Sequence, residues 1–234
     1  MMIAAYTVWA HGIMATLTLA SLIYLFFKKP SANLRAIRLY FNWFLFFFLY
    51  NLFLILPLVI FDRLNLITGI FFNTALLFLA IGAWYAFQVG LNLMAVRATL
   101  FKLFSTIYLF GVLFATVLYF IFPEVPRVTS DGKWILWYSN QPVSLFYSLL
   151  LAPAGWLFVV AIFKGWTSLK SRLLKTRACF FGFSGFIMPF AAFYYFCSKS
   201  ATDIYLSFSL IFLALVSFLI GNVVLGFFIK HKIT

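Results

Sequence analysis

Seven times along this chain, a run of about 20 or more residues passes with almost no charge, long enough for a helix to cross a hydrocarbon core about 30 Å thick. The runs cover residues 3–27, 38–61, 66–94, 103–122, 142–163, 178–197 and 204–229. Each break carries the expected punctuation: Lys28-Lys29-Pro30-Ser31, Asp62-Arg63, Pro123-Glu124-Val125-Pro126. Composition agrees. Only 9% of the residues are charged and 66% are hydrophobic, whereas a soluble domain carries roughly 25% charged residues. The expected fold is an all-α integral membrane bundle, a single domain over residues 1–234 with seven transmembrane helices.

The charges then set an orientation. Lys28, Lys29, Arg35, Arg38, Arg97, Lys102, Lys164, Lys170, Arg172, Lys175, Arg177, Lys230 and Lys232 fall on one side of a seven-span topology. Arg63, Arg127, Lys133 and Lys199 fall on the other, together with all four acids, Asp62, Glu124, Asp131 and Asp203. Basic loops are retained in the cytoplasm, so this asymmetry places the N-terminus outside and the C-terminus inside. The first run has no basic residue before it and two lysines after it, which reads as a first transmembrane helix rather than a cleaved signal peptide. The simplest home is a bacterial inner membrane.

A formal charge of +13 in a soluble protein would suggest nucleic acid. Here the basic residues are spread over short loops with no reading element, which argues against it. They suit anionic lipid headgroups at the cytoplasmic face, worth about 1 kcal/mol per basic residue near the surface. The cluster Lys164, Lys170, Arg172, Lys175 and Arg177 is also the candidate docking face for a cytoplasmic or membrane protein partner.

The longest connection, from Pro123 to Gln141, holds Trp134, Trp137 and Tyr138 behind an Asp131-Gly132 turn signal. It is expected to form a small hairpin or to lie along the interface as part of an aromatic belt. The alternative is a cap over an outward-facing pocket.

Ionisable residues are absent from the midpoints of the spans, which disfavours proton pumps, ion-coupled transporters and a retinal Schiff base. Cys179 and Cys197 lie on one predicted helix, roughly 27 Å apart, too far for a disulfide. Two histidines and two cysteines make no zinc set, and no phosphate loop or catalytic triad is evident. Catalytic residues, metals and cofactors are therefore not expected. What remains are amides, hydroxyls and one imidazole. His11 lies in the first span, Asn42 and Asn51 in the second, and Asn73, Gln88 and Asn92 near one face of the third. Such groups either bond helix to helix or line a ligand pocket; the candidate pocket residues are His11, Asn73, Trp84, Gln88 and Asn92. Pro57, Pro153 and Pro189 interrupt helices, and Gly182 and Gly185 allow close helix approach.

Seven spans, an outside N-terminus, short basic inner loops and amides in the middle helices together resemble the seven-helix membrane sensor modules of some bacterial histidine kinases. That resemblance implies a receptor or sensor. The sequence closes at Lys230-His231-Lys232-Ile233-Thr234 without the output domain such modules carry, so signalling would pass through a separate partner. The alternative is a transporter or channel component for uncharged or lipid-like cargo.

Overall fold

A computed structural model describes residues 4–27, 34–61, 64–122, 125–137, 140–169 and 171–221. Seven helices run through it: α1 (Ala5–Phe27), α2 (Leu34–Ile60), α3 (Leu66–Leu93), α4 (Ala98–Ile121), α5 (Gln141–Gly165), α6 (Arg172–Phe196) and α7 (Ala201–Leu219). All seven are long and apolar enough to cross a membrane. Between α4 and α5 a two-stranded antiparallel hairpin pairs β1 (Arg127–Val128) with β2 (Ile135–Leu136). We call the side bearing this loop the hairpin end, and the opposite side, where α2, α4 and α6 begin, the basic end.

Local sequence explains where the helices start. Asn65 caps α3 and Ser200 caps α7, each in a reciprocal capping box, with Thr68 and Asp203 as the returning partners. Asn140 and Ser171 accept the N–H three residues on, at the starts of α5 and α6. These side chains satisfy backbone donors that the first helical turn leaves unpaired. One systematic difference from the expected spans lies at the helix starts. At the basic end α2, α4 and α6 begin four to six residues before the apolar runs do, taking in Arg35, Lys102 and Arg172. Hydropathy marks only the apolar stretch of a helix; backbone hydrogen bonding continues past it through charged residues. The last expected span, 204–229, begins at Ala201, and its residues from 222 onward lie outside the described residues.

Packing makes α3 the central helix. Half of its most apolar stretch is buried, the largest share in the bundle, against 28% for α1. α3 packs against α2, α4 and α5, α5 against α6, and α6 against α7, while α1 leans on α2 and meets α7 only sparsely. One apolar core draws on every helix and on the hairpin, with Leu54, Phe72, Val112, Tyr119, Tyr147, Ile204 and Ile135 fully enclosed. The outward faces carry Trp9, Phe26, Phe110, Phe114, Trp156 and Phe163, all exposed. That much exposed aromatic surface suits lipid rather than water.

The α5–α6 contact is the tightest. A Cβ on Gly155 would stand 2.6 Å from the Gly185 carbonyl oxygen, and one on Gly185 would stand 2.6 Å from that of Gly155. Two glycines facing each other let the two backbones touch, the usual device of helix association in lipid. Gly182, expected to share this role, faces the flexible end of Ile162 at 3.2 Å instead. Cys179 and Cys197 are free.

Candidate functional site

Every helix except α4 contributes to a partly open cavity of about 120 Å³ between the helices. One water takes up about 10–15 Å³ of such space, so the room suffices for about ten non-hydrogen atoms. Its wall is mainly apolar and small: Leu79, Gly82, Ala83 and Ala86 from α3, Leu151, Ala154 and Gly155 from α5, Ile211 from α7. Trp43, Phe47, Phe158, Phe181, Phe208 and Phe218 supply rings. α6 lines it lengthwise with Phe181, Ser184, Gly185, Met188, Ala192 and Tyr195. These recur every three or four residues and so form one stripe. Fourteen positions from Phe181 to Tyr195 make the stripe roughly 21 Å long.

Polarity is concentrated toward the hairpin end, where His11 of α1, Asn51 of α2 and Tyr195 of α6 converge, all buried. The hydrogen bonds fix one another. Asn51 donates an amide N–H to the Phe47 carbonyl at 2.8 Å, which turns its Oδ1 toward His11 Nδ1, also at 2.8 Å. An amide oxygen only accepts, so the His11 proton sits on Nδ1. Nε2 is then an acceptor, and the Tyr195 hydroxyl, 3.1 Å away, donates to it. Tyr50, Tyr195 and Phe208 surround the imidazole edge-on at 5.2–6.1 Å between ring centres. The arrangement offers a ligand hydrogen-bonding atoms without formal charge. Among the described residues, no group of three or more His, Cys, Asp or Glu is placed to hold a metal ion.

Of the residues singled out in the sequence as pocket candidates, His11 lines the cavity and Asn73, Trp84, Gln88 and Asn92 do not. Asn73 donates to the Tyr119 carbonyl at 3.2 Å, and the Trp84 indole to Ser105 Oγ at 2.7 Å. Both bonds tie α3 to α4, the helix-to-helix role that amides in spans usually take. Gln88 is buried and Asn92 half-buried on the same helix. Asn51 and the tyrosines at positions 50 and 195 carry more of the site than the sequence suggested. Their signal was depth: each lies within about ten residues of the hairpin end of its helix, as His11 does.

The candidate partner face is spread along the basic end. Lys164 Nζ donates to the Met94 carbonyl at 3.0 Å, closing the C-terminus of α3. Lys175 lies over the Trp166 ring and the Arg177 guanidinium over Phe181, at 5.7 Å and 5.6 Å from the ring centres. Arg172 is exposed, and Lys170 lies outside the described residues.

The hairpin forms at the expected turn, with Gly132 at φ +71°, a conformation that glycine adopts freely. Thr129 Oγ1 bonds the Asp131 carboxylate and accepts from the Trp134 N–H at 3.1 Å. The Thr129 hydroxyl and the Lys133 N–H hold the Asp131 carboxyl below the usual carboxylate range. An interfacial belt does not describe its tryptophans: Trp134 and Trp137 are each 4% exposed. Trp134 stacks on Phe208 at 5.2 Å and Trp137 on Phe72 at 5.2 Å, while the Ile135 N–H donates to Thr7 Oγ1 at 3.0 Å. Burying the indoles removes far more apolar area than a belt position does. The loop therefore plugs the bundle next to Phe208, which is itself a wall of the cavity. Tyr138 lies outside the described residues.

No protein-family model matches the chain, and neither a curated protein nor a solved structure does.

Proposed function

We propose that this protein is a receptor- or sensor-like membrane bundle, with its N-terminus outside and its C-terminus in the cytoplasm of a bacterial inner membrane. It binds a small apolar or lipid-like molecule between its helices and passes its occupancy to a partner protein at the basic end. The observation that carries this reading is the cavity: an apolar slot with one uncharged polar cluster at its hairpin end, the usual composition of a small-molecule site. Well-packed interiors rarely leave such space empty, because unfilled volume forfeits contacts on every wall.

A second reading, a transporter or channel component for uncharged or lipid-like cargo, is favoured by one further feature. Pro153 and Pro189 interrupt α5 and α6 next to the Gly155–Gly185 contact, so both helices can bend where they line the slot. Flux of the bound molecule across a vesicle membrane would select this reading over the first.

The test is photo-crosslinking in neutral lipid bilayers with an uncharged decanol analogue carrying a diazirine. Labelling is expected on peptides containing Phe181–Tyr195 and Trp43–Asn51, and A83L or A86L should reduce it about tenfold by filling the slot. Labelling confined to the exposed aromatic faces, unchanged by either substitution, sinks the proposal.

A further inference from the structure

The α6 stripe does not stop at Phe181. One turn nearer the basic end, at the i−4 position of the same face, stands Arg177. The residue is half-buried; its Nε is buried and has no hydrogen-bond partner among the described residues, and its guanidinium lies over the Phe181 ring. Burying a charged donor without an acceptor is costly, and the usual remedy is a carboxylate. Among the described residues none is placed there. Asp131 lies in the hairpin and Asp203 in the first turn of α7, while Asp62 and Glu124 lie outside the described residues. Both described acids belong to the hairpin end, whereas Arg177 is 19 residues, roughly 28 Å, from that end of α6. A fork of guanidinium donors suits phosphate and carboxylate oxygens.

We infer that Arg177 and the cavity form a single binding site for an amphiphile with an anionic phosphate or carboxylate head. The head pairs with Arg177, and an apolar tail of about ten atoms runs past Phe181 into the slot. This inference rests on the reading of the cavity as a ligand site and adds the chemistry of the ligand's head. The cation–π contact holds the guanidinium against Phe181, a ring that lines the slot, so head and tail would be bound side by side.

The experiment titrates the protein, purified in an uncharged maltoside detergent, with decyl phosphate or decanol and counts adducts by native mass spectrometry. Decyl phosphate is expected to bind one per chain, about tenfold or more tighter than decanol, as the loss of a hydrogen bond to a charged group implies. R177Q should erase that preference while leaving decanol binding in place, and R177K should keep part of it. A second arm compares phosphatidylglycerol with phosphatidylcholine. Retention of phosphatidylglycerol identifies the head as that of a bilayer lipid, and retention of decyl phosphate alone identifies a free single-chain anion. Equal affinity of the wild-type protein for decyl phosphate and decanol overturns the inference, and this comparison needs no variant to fold. An unchanged preference in R177Q overturns it as well. Binding of decanol without preference for the anion removes only the anionic site, whereas binding of neither removes the cavity reading too.

Discussion

Gly185→Ala isolates the close approach of α5 and α6. The added Cβ would stand 2.6 Å from the Gly155 carbonyl oxygen and 2.8 Å from Phe158 Cβ. Both distances are under the 3.0 Å below which real Cβ atoms are essentially never found, and the nearer atom is backbone, so the helices have to separate. Overpacking of this kind costs about 1–3 kcal/mol. Alanine also favours helix over glycine by roughly 0.8–1 kcal/mol, which blurs any comparison with the wild type. Gly12→Ala is the control, because nothing stands within 4 Å of a Cβ there. The propensity gain is common to both variants and cancels, so G185A should be less stable than G12A by about 1–3 kcal/mol. Reversible unfolding in mixed micelles by titration with dodecyl sulfate reads the difference. Gly155→Ala should behave like G185A, and the double variant should lose less than the sum, since the first alanine has already parted the helices. G182A, which meets only the end of Ile162, should lie between. Equal stability of G185A and G12A would show that the two backbones do not touch, and with it would go the account of this crossing.

Four further outcomes are expected. Asn51→Leu leaves the buried His11 Nδ1–H without an acceptor and should destabilise by about 1–3 kcal/mol; H11F/N51L should recover part of this, and strictly additive losses would refute the coupling. Trp134→Ala should cost about 3–5 kcal/mol and speed hydrogen exchange of the Ile135 amide; a neutral effect would mean that the hairpin does not plug the bundle. The Asp131 carboxyl titrates lower in the folded hairpin than in the unfolded chain. Its contribution is therefore fully present above about pH 4 to 5 and is lost as pH falls through the depressed folded value. Hairpin amide exchange measured against pH should show this loss in the wild type and not in D131N. Finally, a membrane-impermeant maleimide added to intact cells should label G132C and leave a cysteine at Arg172 untouched; the opposite pattern would invert the proposed orientation.

Much of the architecture can be read from the residues, because lipid imposes one rule on every span. Apolar length sets the number of helices, and Asp131-Gly132 sets the hairpin. The ends were less legible: Arg35, Lys102 and Arg172 look like loop residues on a hydropathy scale, yet each is helical because its backbone bonds continue. The pocket was less legible still. His11 stood out as the one imidazole in a span, but its partners Asn51 and Tyr195 come from helices that only three-dimensional packing brings to it. Asn73 is an amide at similar depth, yet it turns toward α4, as Trp84 does nearer the basic end. Which face of α3 meets α4 and which meets the cavity depends on the small residues Gly82, Ala83 and Ala86, whose lack of bulk leaves no strong periodic mark.

The His11 cluster also has an order of assembly in time. Its first partner, Asn51, lies 40 residues along the chain, and its second, Tyr195, lies 184. At about 5–20 residues per second, Asn51 is synthesised about 2–8 s after His11, and Tyr195 about 9–37 s after it. The imidazole can therefore gain an amide partner within seconds of its own synthesis and waits several times longer for the hydroxyl. A histidine bonded only to the last helices would spend that interval in lipid unescorted. The early pairing of α1 with α2 lets the chain carry a polar centre through its own biogenesis, and the late arrival of α6 closes the slot around it.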